Sequence, residues 1–309
     1  MITYYYKNSS AAKLTVVDDF RPGAWVSIES PTQPELKQLA SRFKLDINRM
    51  ADVLDVDEIP RLEYDDGATY LYLRYTLEED MTGPITAPLL CVVKQNMLLT
   101  ISYGKLTVLQ NFTTEKVQFA TTQPVELMLS VIDQVIDRYE VHINNMTKRI
   151  KIFRTKFTNR DIDNKDFVEF VVVEDGLNSF MSALQPATAI MSRLLLGRHI
   201  EVTVSRRTQM KDLLLNTQQL IEECQSSIKS ITTIRNVYTT IASNNLNRTM
   251  KILTVATLLI AIPNAFFGMY GMNVKLPFQQ EIWAYTFIIG MTLFVTLVVI
   301  IFARSRKIF

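Results

Sequence analysis

The side chains in this sequence best suited to handling a solute are neutral oxygen donors, and they recur at alternating steps of three and four. Thr233, Asn236, Thr240, Ser243, Asn247, Met250, Thr254, Thr257, Ala261, Asn264, Gly268 and Gly271 share one face of a helix at that spacing. Nearly all are small, hydroxylic or amide-bearing, the Met250 thioether being the exception, and none is charged. The later members lie inside an apolar run. There Thr and Asn gain nothing from facing lipid, and an unpaired amide is costly.

Two arrangements satisfy such a stripe. Small and hydroxyl residues let helices approach closely and hydrogen-bond across the contact. Alternatively, the stripe lines a water-filled lumen shared by several copies of the helix. It continues unbroken from a polar stretch into an apolar one, and Asn264 sits deep in the latter, which favours the lumen. Two spans per chain cannot enclose water, so a lumen requires an oligomer. A second face, through Leu220, Cys224, Ile231, Ile234, Tyr238 and Ile241, forms an apolar seam for packing on other helices.

The elements that must position the stripe follow from the apolar pattern. Ile252 to Met269 and Ile282 to Phe302 are each near the ~20 residues that a bilayer-spanning helix needs. Arg248 and Lys251 precede the first run, and Arg304, Arg306 and Lys307 follow the second, while Lys275 and Glu281 cancel in the loop between. The positive-inside tendency puts both termini in the cytoplasm and the loop outside, with Tyr270, Trp283 and Tyr285 at the interfaces. No glycine or proline occurs between Ser205 and Ile262, enough for roughly 85 Å of continuous helix.

Upstream, Pro124 to Phe157 and Asp163 to about Leu184 read as helices, with Gly176 a weak point in the second. Pro186 to Leu196 reads as a separate apolar piece ending at Gly197. Residues 1 to about 120 read as mixed α/β. Strands are expected at Thr69–Leu77, Leu89–Val93 and Met97–Tyr103, with a hairpin at Lys94-Gln95-Asn96. Pro34–Phe43 and Asp46–Leu54 carry helical spacing.

The expected organisation is therefore an α+β membrane protein. It comprises a cytoplasmic α/β domain (1–122), a helical hairpin region (123–204), a stalk helix (205–250) and a pore-lining first span (251–270). An outer loop (271–281), a second span (282–303) and a basic tail (304–309) complete it.

Several classes are disfavoured. With 33 basic and 31 acidic residues there is no basic field for nucleic acid. The start of the chain, Met1 to Tyr6, lacks the basic-then-apolar pattern of a secretory signal. Gly104-Lys105 is followed by Leu106, so no phosphate-binding loop is present, and His142 and His199 stand isolated; no enzyme is expected. Cys91 and Cys224 match no metal or redox spacing and read as reduced, buried thiols. The acids Asp52, Asp55, Asp57, Glu58, Asp65, Asp66, Glu78, Glu79 and Asp80 read as a solvated surface, with a divalent-ion regulatory site as the sharper alternative.

The first apolar run ends in Tyr270-Gly271-Met272-Asn273, after a long stalk helix and before a second span. In that position the triplet resembles the CorA-type magnesium channels and transporters. The resemblance covers the whole layout and implies a funnel-shaped homopentamer in the plasma membrane, the first span lining the pore and Mg2+ as both cargo and regulator. It implies a selectivity filter at Gly271, Met272 and Asn273, with Asn273 as a ring of oxygens at the outer mouth. Gly268 and Gly271 would serve close packing and carbonyl exposure, and Asn247, Met250 and Leu253 would form a constriction. Cobalt and nickel are implied as further permeants, and a zinc transporter of the same superfamily is the alternative. A membrane-anchored structural or sensor coiled coil is the alternative from another class.

Three departures from the family pattern stand out. Pro263 lies one residue closer to Gly271 than in the usual form, the loop Val274-Lys275-Leu276-Pro277-Phe278 lacks acids, and Asn236 replaces a stalk aspartate. Asp212, Glu222 and Glu223 are the substitute candidates for a regulatory metal.

Overall fold

The computed structural model describes residues 1–11, 13–77, 85–158, 164–196, 204–274, 277–278 and 281–305. Within it the chain divides into two compact units, Met1–Thr232 and Thr233–Phe309.

The first unit is built on a seven-stranded sheet. Its strands are β1 (Ile2–Tyr6), β2 (Thr15–Val17), β3 (Trp25–Glu29), β4 (Arg61–Asp65), β5 (Ala68–Thr76), β6 (Thr86–Lys94) and β7 (Met97–Ser102). Their order across the sheet is β2-β1-β3-β7-β6-β5-β4, with β3 and β7 parallel and the other neighbours antiparallel. Two tight turns set the register. Asp66 and Gly67 both take positive φ between β4 and β5, the geometry that a two-residue hairpin requires. Gln95 does the same between β6 and β7, pairing Lys94 with Met97.

The sheet is covered on both faces, which is why Leu89–Val93 is a continuous apolar run. On one face Val26, Ile28, Tyr70, Tyr72, Leu90, Val92, Leu99 and Ile101 pack with Leu36, Leu39, Met50 and Val53. Those last residues come from α1 (Gln33–Phe43), α2 (Ile47–Ala51) and the 3-10 turn Asp52–Leu54. Thr32 and Glu35 close a capping box at the start of α1. On the other face Trp25 donates its ring N–H to Thr100 Oγ1 at 2.9 Å and packs edge-on to Phe112 of α3 (Leu109–Thr113). Helices α4 (Pro124–Thr158) and α5 (Asn164–Leu195) join that face, Tyr139 donating to the Arg74 carbonyl and Ser179 meeting Thr86 at 3.2 Å.

The structure departs from the sequence reading at α5, which continues through Pro186 as one 32-residue helix, with Gly176 inside it as expected. The reason is packing. Phe170, Val173, Leu177, Phe180, Leu184, Ala187, Met191 and Leu194 are all buried at steps of three and four that cross both residues. A buried stripe of that length outweighs the ~3 kcal/mol that an interior proline costs. Strands β1 to β4 and α3 are additions to the sequence reading. His199, Glu78, Glu79 and Asp80 lie outside the described residues.

Helix α6 runs Val204–Tyr270, 67 residues without interruption, and α7 runs Ala284–Ser305. In the first unit α6 buries Met210, Leu213, Thr217, Leu220, Cys224, Ser227 and Ile231. Of the expected seam, Leu220, Cys224, Ile231 and Ile234 are buried, Tyr238 is half-buried and Ile241 is exposed, while the buried face extends nearly three turns further toward the N-terminus. Both cysteines are buried, and burial pushes each thiol up to about 12.

Candidate functional site

The second unit holds the polar stripe. Every stripe member from Thr233 to Gly271 is exposed on the single chain, as is Leu253. Among the described residues between Met250 and Ser305, the buried ones are Val255, Ala284, Thr292 and Ala303, mostly small side chains of the kind that let membrane helices meet closely. The apolar stretches of α6 and α7 are only 6% and 11% buried, the reverse of a soluble core helix. Helix α7 exposes large apolar side chains such as Leu293, Phe294, Leu297 and Phe302, as a lipid-facing helix does.

Local hydrogen bonding gives the stripe a definite polarity. Thr240 donates its hydroxyl to the Asn236 carbonyl, Thr254 to Met250 at 2.8 Å and Thr257 to Leu253 at 2.9 Å. Each proton is thereby used within the helix, and the hydroxyl oxygen is left to act as an acceptor. Waters around a cation turn their hydrogens outward, so acceptors are what a hydrated cation needs from a wall. Pro263 has no N–H, so the Leu259 carbonyl one turn back lacks its helical donor, but Leu259 lies on the face opposite the stripe.

The helix ends where the triplet begins. Gly271 N–H donates to the Phe267 carbonyl at 3.0 Å, Met272 N–H to Met269 at 3.2 Å, and Asn273 is exposed beyond them. A Cβ on Gly271 would lie 3.3 Å from the Phe267 oxygen, whereas one on Gly268 would meet nothing within 4 Å. The negative end of the α6 dipole, about half a charge, falls at this point. Tyr270 O–H donates to the Pro277 carbonyl at 3.3 Å, and Phe278, Trp283 and Phe287 form an aromatic cluster with centroids 5.1 to 6.3 Å apart. Tyr285 is exposed.

The acidic candidates behave differently. Asp212 and Glu222 are exposed, while Glu223 turns inward and accepts from Thr147 Oγ1 at 3.1 Å. Positions 212 and 222 are roughly 15 Å apart along a helix, so one chain cannot bring these acids to one ion. Among the described residues no group of three His, Cys, Asp or Glu side chains could hold a metal. Of the N-terminal acids, Asp52 and Glu58 pair with Arg61, Asp65 with Arg49, and Asp66 with Lys94. Those four are committed to ion pairs, while Asp55 and Asp57 are exposed. His142 lies half-buried beside Phe180.

The family model described as CorA-like Mg2+ transporter protein matches residues 23–304. The chain belongs to this family. Among curated relatives it is similar to the cobalt/magnesium transport protein CorA of Methanocaldococcus jannaschii, 24% identical over 91% of this chain and 90% of the relative. It is also similar to the magnesium transport protein CorA of Helicobacter pylori, 22% identical over 86% and 84%. The complete structure of the CorA magnesium transporter from M. jannaschii superposes with a TM-score of 0.84 over 98% of this chain and 97% of that one, at 20% identity. The CorA-like architecture of α/β domain, long helix and two apolar C-terminal helices is thus the fold of this chain.

Proposed function

We propose that this chain is the subunit of a homopentameric channel that carries Mg2+ into the cell down the membrane potential, passing Co2+ and Ni2+ as secondary ions. The observation that carries the reading is the unbroken exposed face of α6, uncharged and rich in acceptors, which ends at Gly271, Met272 and Asn273. Both termini are cytoplasmic in this reading, and α6 lines the pore through Asn247, Met250, Leu253, Thr254, Thr257, Ala261, Asn264 and Gly268. Thr233, Asn236, Thr240 and Ser243 continue the lumen into the stalk.

The chemistry follows from how reluctantly Mg2+ gives up its waters. Five Asn273 amides hold the hydrated ion through water and let it leave, where five carboxylates would retain it. Five helix C-termini add roughly −2.5 charges at the same level. Met250 and Leu253 close the path by dewetting when the helices approach. A divalent ion gains about 4.6 kcal/mol per 100 mV, so entry needs no nucleotide. Zn2+ is less suited, because the stripe contains neither His nor Cys. A regulatory Mg2+ on Asp212 and Glu222 would require carboxylates from a neighbouring copy.

The test is flux into liposomes holding the purified protein, Mg2+ against Zn2+, under an imposed potential. Preferred Zn2+ entry would replace the reading with a zinc transporter. Flux of neither ion would leave the stripe as packing in an anchored coiled coil.

A further inference from the structure

One cavity of the N-terminal unit lies outside everything derived above. It is an open cleft of about 360 Å³, lined by Lys7, Ser9, Gln118, Phe119, Gln123 and Arg206, with two alanines. These residues come from the end of β1, the segment entering α4 and the first turn of α6. The polar wall is two cations, two amides and a hydroxyl, with no carboxylate.

Lys7 is held rigidly. Its N–H donates to Thr121 Oγ1 at 2.9 Å, and its carbonyl accepts from Thr121 N–H at 2.8 Å and Thr121 O–H at 3.1 Å. The residue is 9% exposed, and its ammonium stands 4.9 Å from the centre of the Phe119 ring. No carboxylate pairs with it among the described residues. A buried ammonium with only an aromatic face for company is incompletely compensated. Arg206 pairs with Glu126 at 3.3 Å, donates to Gln209 Oε1 at 2.5 Å and also interacts with Asp133, so Lys7 is the cation of this wall that no carboxylate holds. Gln123 directly precedes Pro124, the first residue of the 35-residue α4, whose N-terminal amides add positive potential.

We propose that this cavity binds a phosphate group. An ammonium, a planar guanidinium, two amides and a hydroxyl can share the several oxygens of one oxyanion, whereas chloride offers a single point. The space also exceeds what a single-atom ion fills. Phe119 is packed against Phe112 and Trp25 with centroids 5.1 and 6.3 Å away, and Lys7 lies over it, so its ring is not free to stack on a base. A nucleotide would therefore enter by its phosphates alone. Occupancy would tie β1 to the first turn of α6. The proposal does not depend on ion conduction.

The test uses the full-length protein in detergent and Mg2+-free buffer, titrated calorimetrically with inorganic phosphate, ATP, and sodium chloride at matched ionic strength. Phosphate or ATP is expected to bind at millimolar concentration or below. Lys7→Met and the surface change Gln123→Glu should each weaken that binding at least about tenfold, with the melting temperature recorded to confirm folding. Binding of inorganic phosphate equal to that of ATP assigns the free ion, and much tighter ATP binding assigns the nucleotide. No heat from either ligand, equal affinity in wild type and both variants, or equal competition by chloride would each overturn the proposal.

Discussion

Gly268 and Gly271 separate what α6 needs as a helix from what the proposed pore needs as a lumen. In the single chain a Cβ on Gly268 meets nothing within 4 Å. Gly268→Ala therefore costs nothing sterically in one subunit, and alanine is the better helix former by about 0.8–1.0 kcal/mol. If α6 presented this face to lipid, the variant would be slightly more stable and would conduct normally. In a pentameric lumen five methyl groups each reach inward by about 1.5 Å, a carbon–carbon bond length. An ion that keeps several of its waters has little tolerance for that narrowing. Stability and conduction should then move in opposite directions, with unfolding unchanged or later and Mg2+ flux reduced at least roughly tenfold, about 1.4 kcal/mol on the barrier. Gly271→Ala supplies the contrast. Its Cβ falls 3.3 Å from the Phe267 carbonyl, so both stability and flux should fall. The assay is Mg2+ influx into liposomes, with thermal unfolding of the same preparations. Wild-type flux in Gly268→Ala would refute the lumen assignment of this face.

Three further outcomes follow. Asn273→Ala should abolish or severely disturb selective Mg2+ entry, measured as the Mg2+ to Zn2+ flux ratio; an unchanged ratio at unchanged flux removes Asn273 from the filter. Met250→Ala should raise leak through the closed state, and equal leak in both proteins would move the gate elsewhere. Burial raises the Glu63 carboxyl, but hydrogen bonds from Arg61 and Arg49 more than reverse this, so its pKa is lowered on folding. The stability it adds is therefore present above the ordinary value near 4.3 and lost as the pH falls through the lowered folded value. Glu63→Gln should lower the melting temperature at pH 7, by the equivalent of about 1 kcal/mol. The difference should shrink below about pH 4; a gap of the same size at both pH values would contradict the pairing.

The legible parts of this fold were those where one pattern dominates. The alternation of β5, the apolar run of β6 and the uninterrupted length of α6 each specify one element. The stripe and the seam on α6 separate because their steps of three and four fall on different faces. What misled was local chemistry overridden by packing. Pro186 looks like a break until the buried residues from Phe170 to Leu194 are seen to run past it. The acids from Asp52 to Asp66 read as a solvated surface, with a metal site as the sharper alternative, whereas Asp52, Glu58, Asp65 and Asp66 pair with Arg61, Arg49 and Lys94. Arg49 and Arg61 were visible in the sequence, but their pairing depends on the β4–β5 hairpin and its Asp66-Gly67 turn. The Lys7 and Arg206 cavity left no sequence signal, since its walls come from segments far apart in the chain.

In the proposed function α6 lines a path for Mg2+ driven by voltage alone. Mg2+ influx into liposomes containing only this protein, measured at a series of imposed inside-negative potentials without nucleotide, tests it most directly. Influx should rise with the potential and disappear when the potential is collapsed at equal Mg2+ on both sides. No Mg2+ entry at any potential, with the protein folded and inserted, would contradict it.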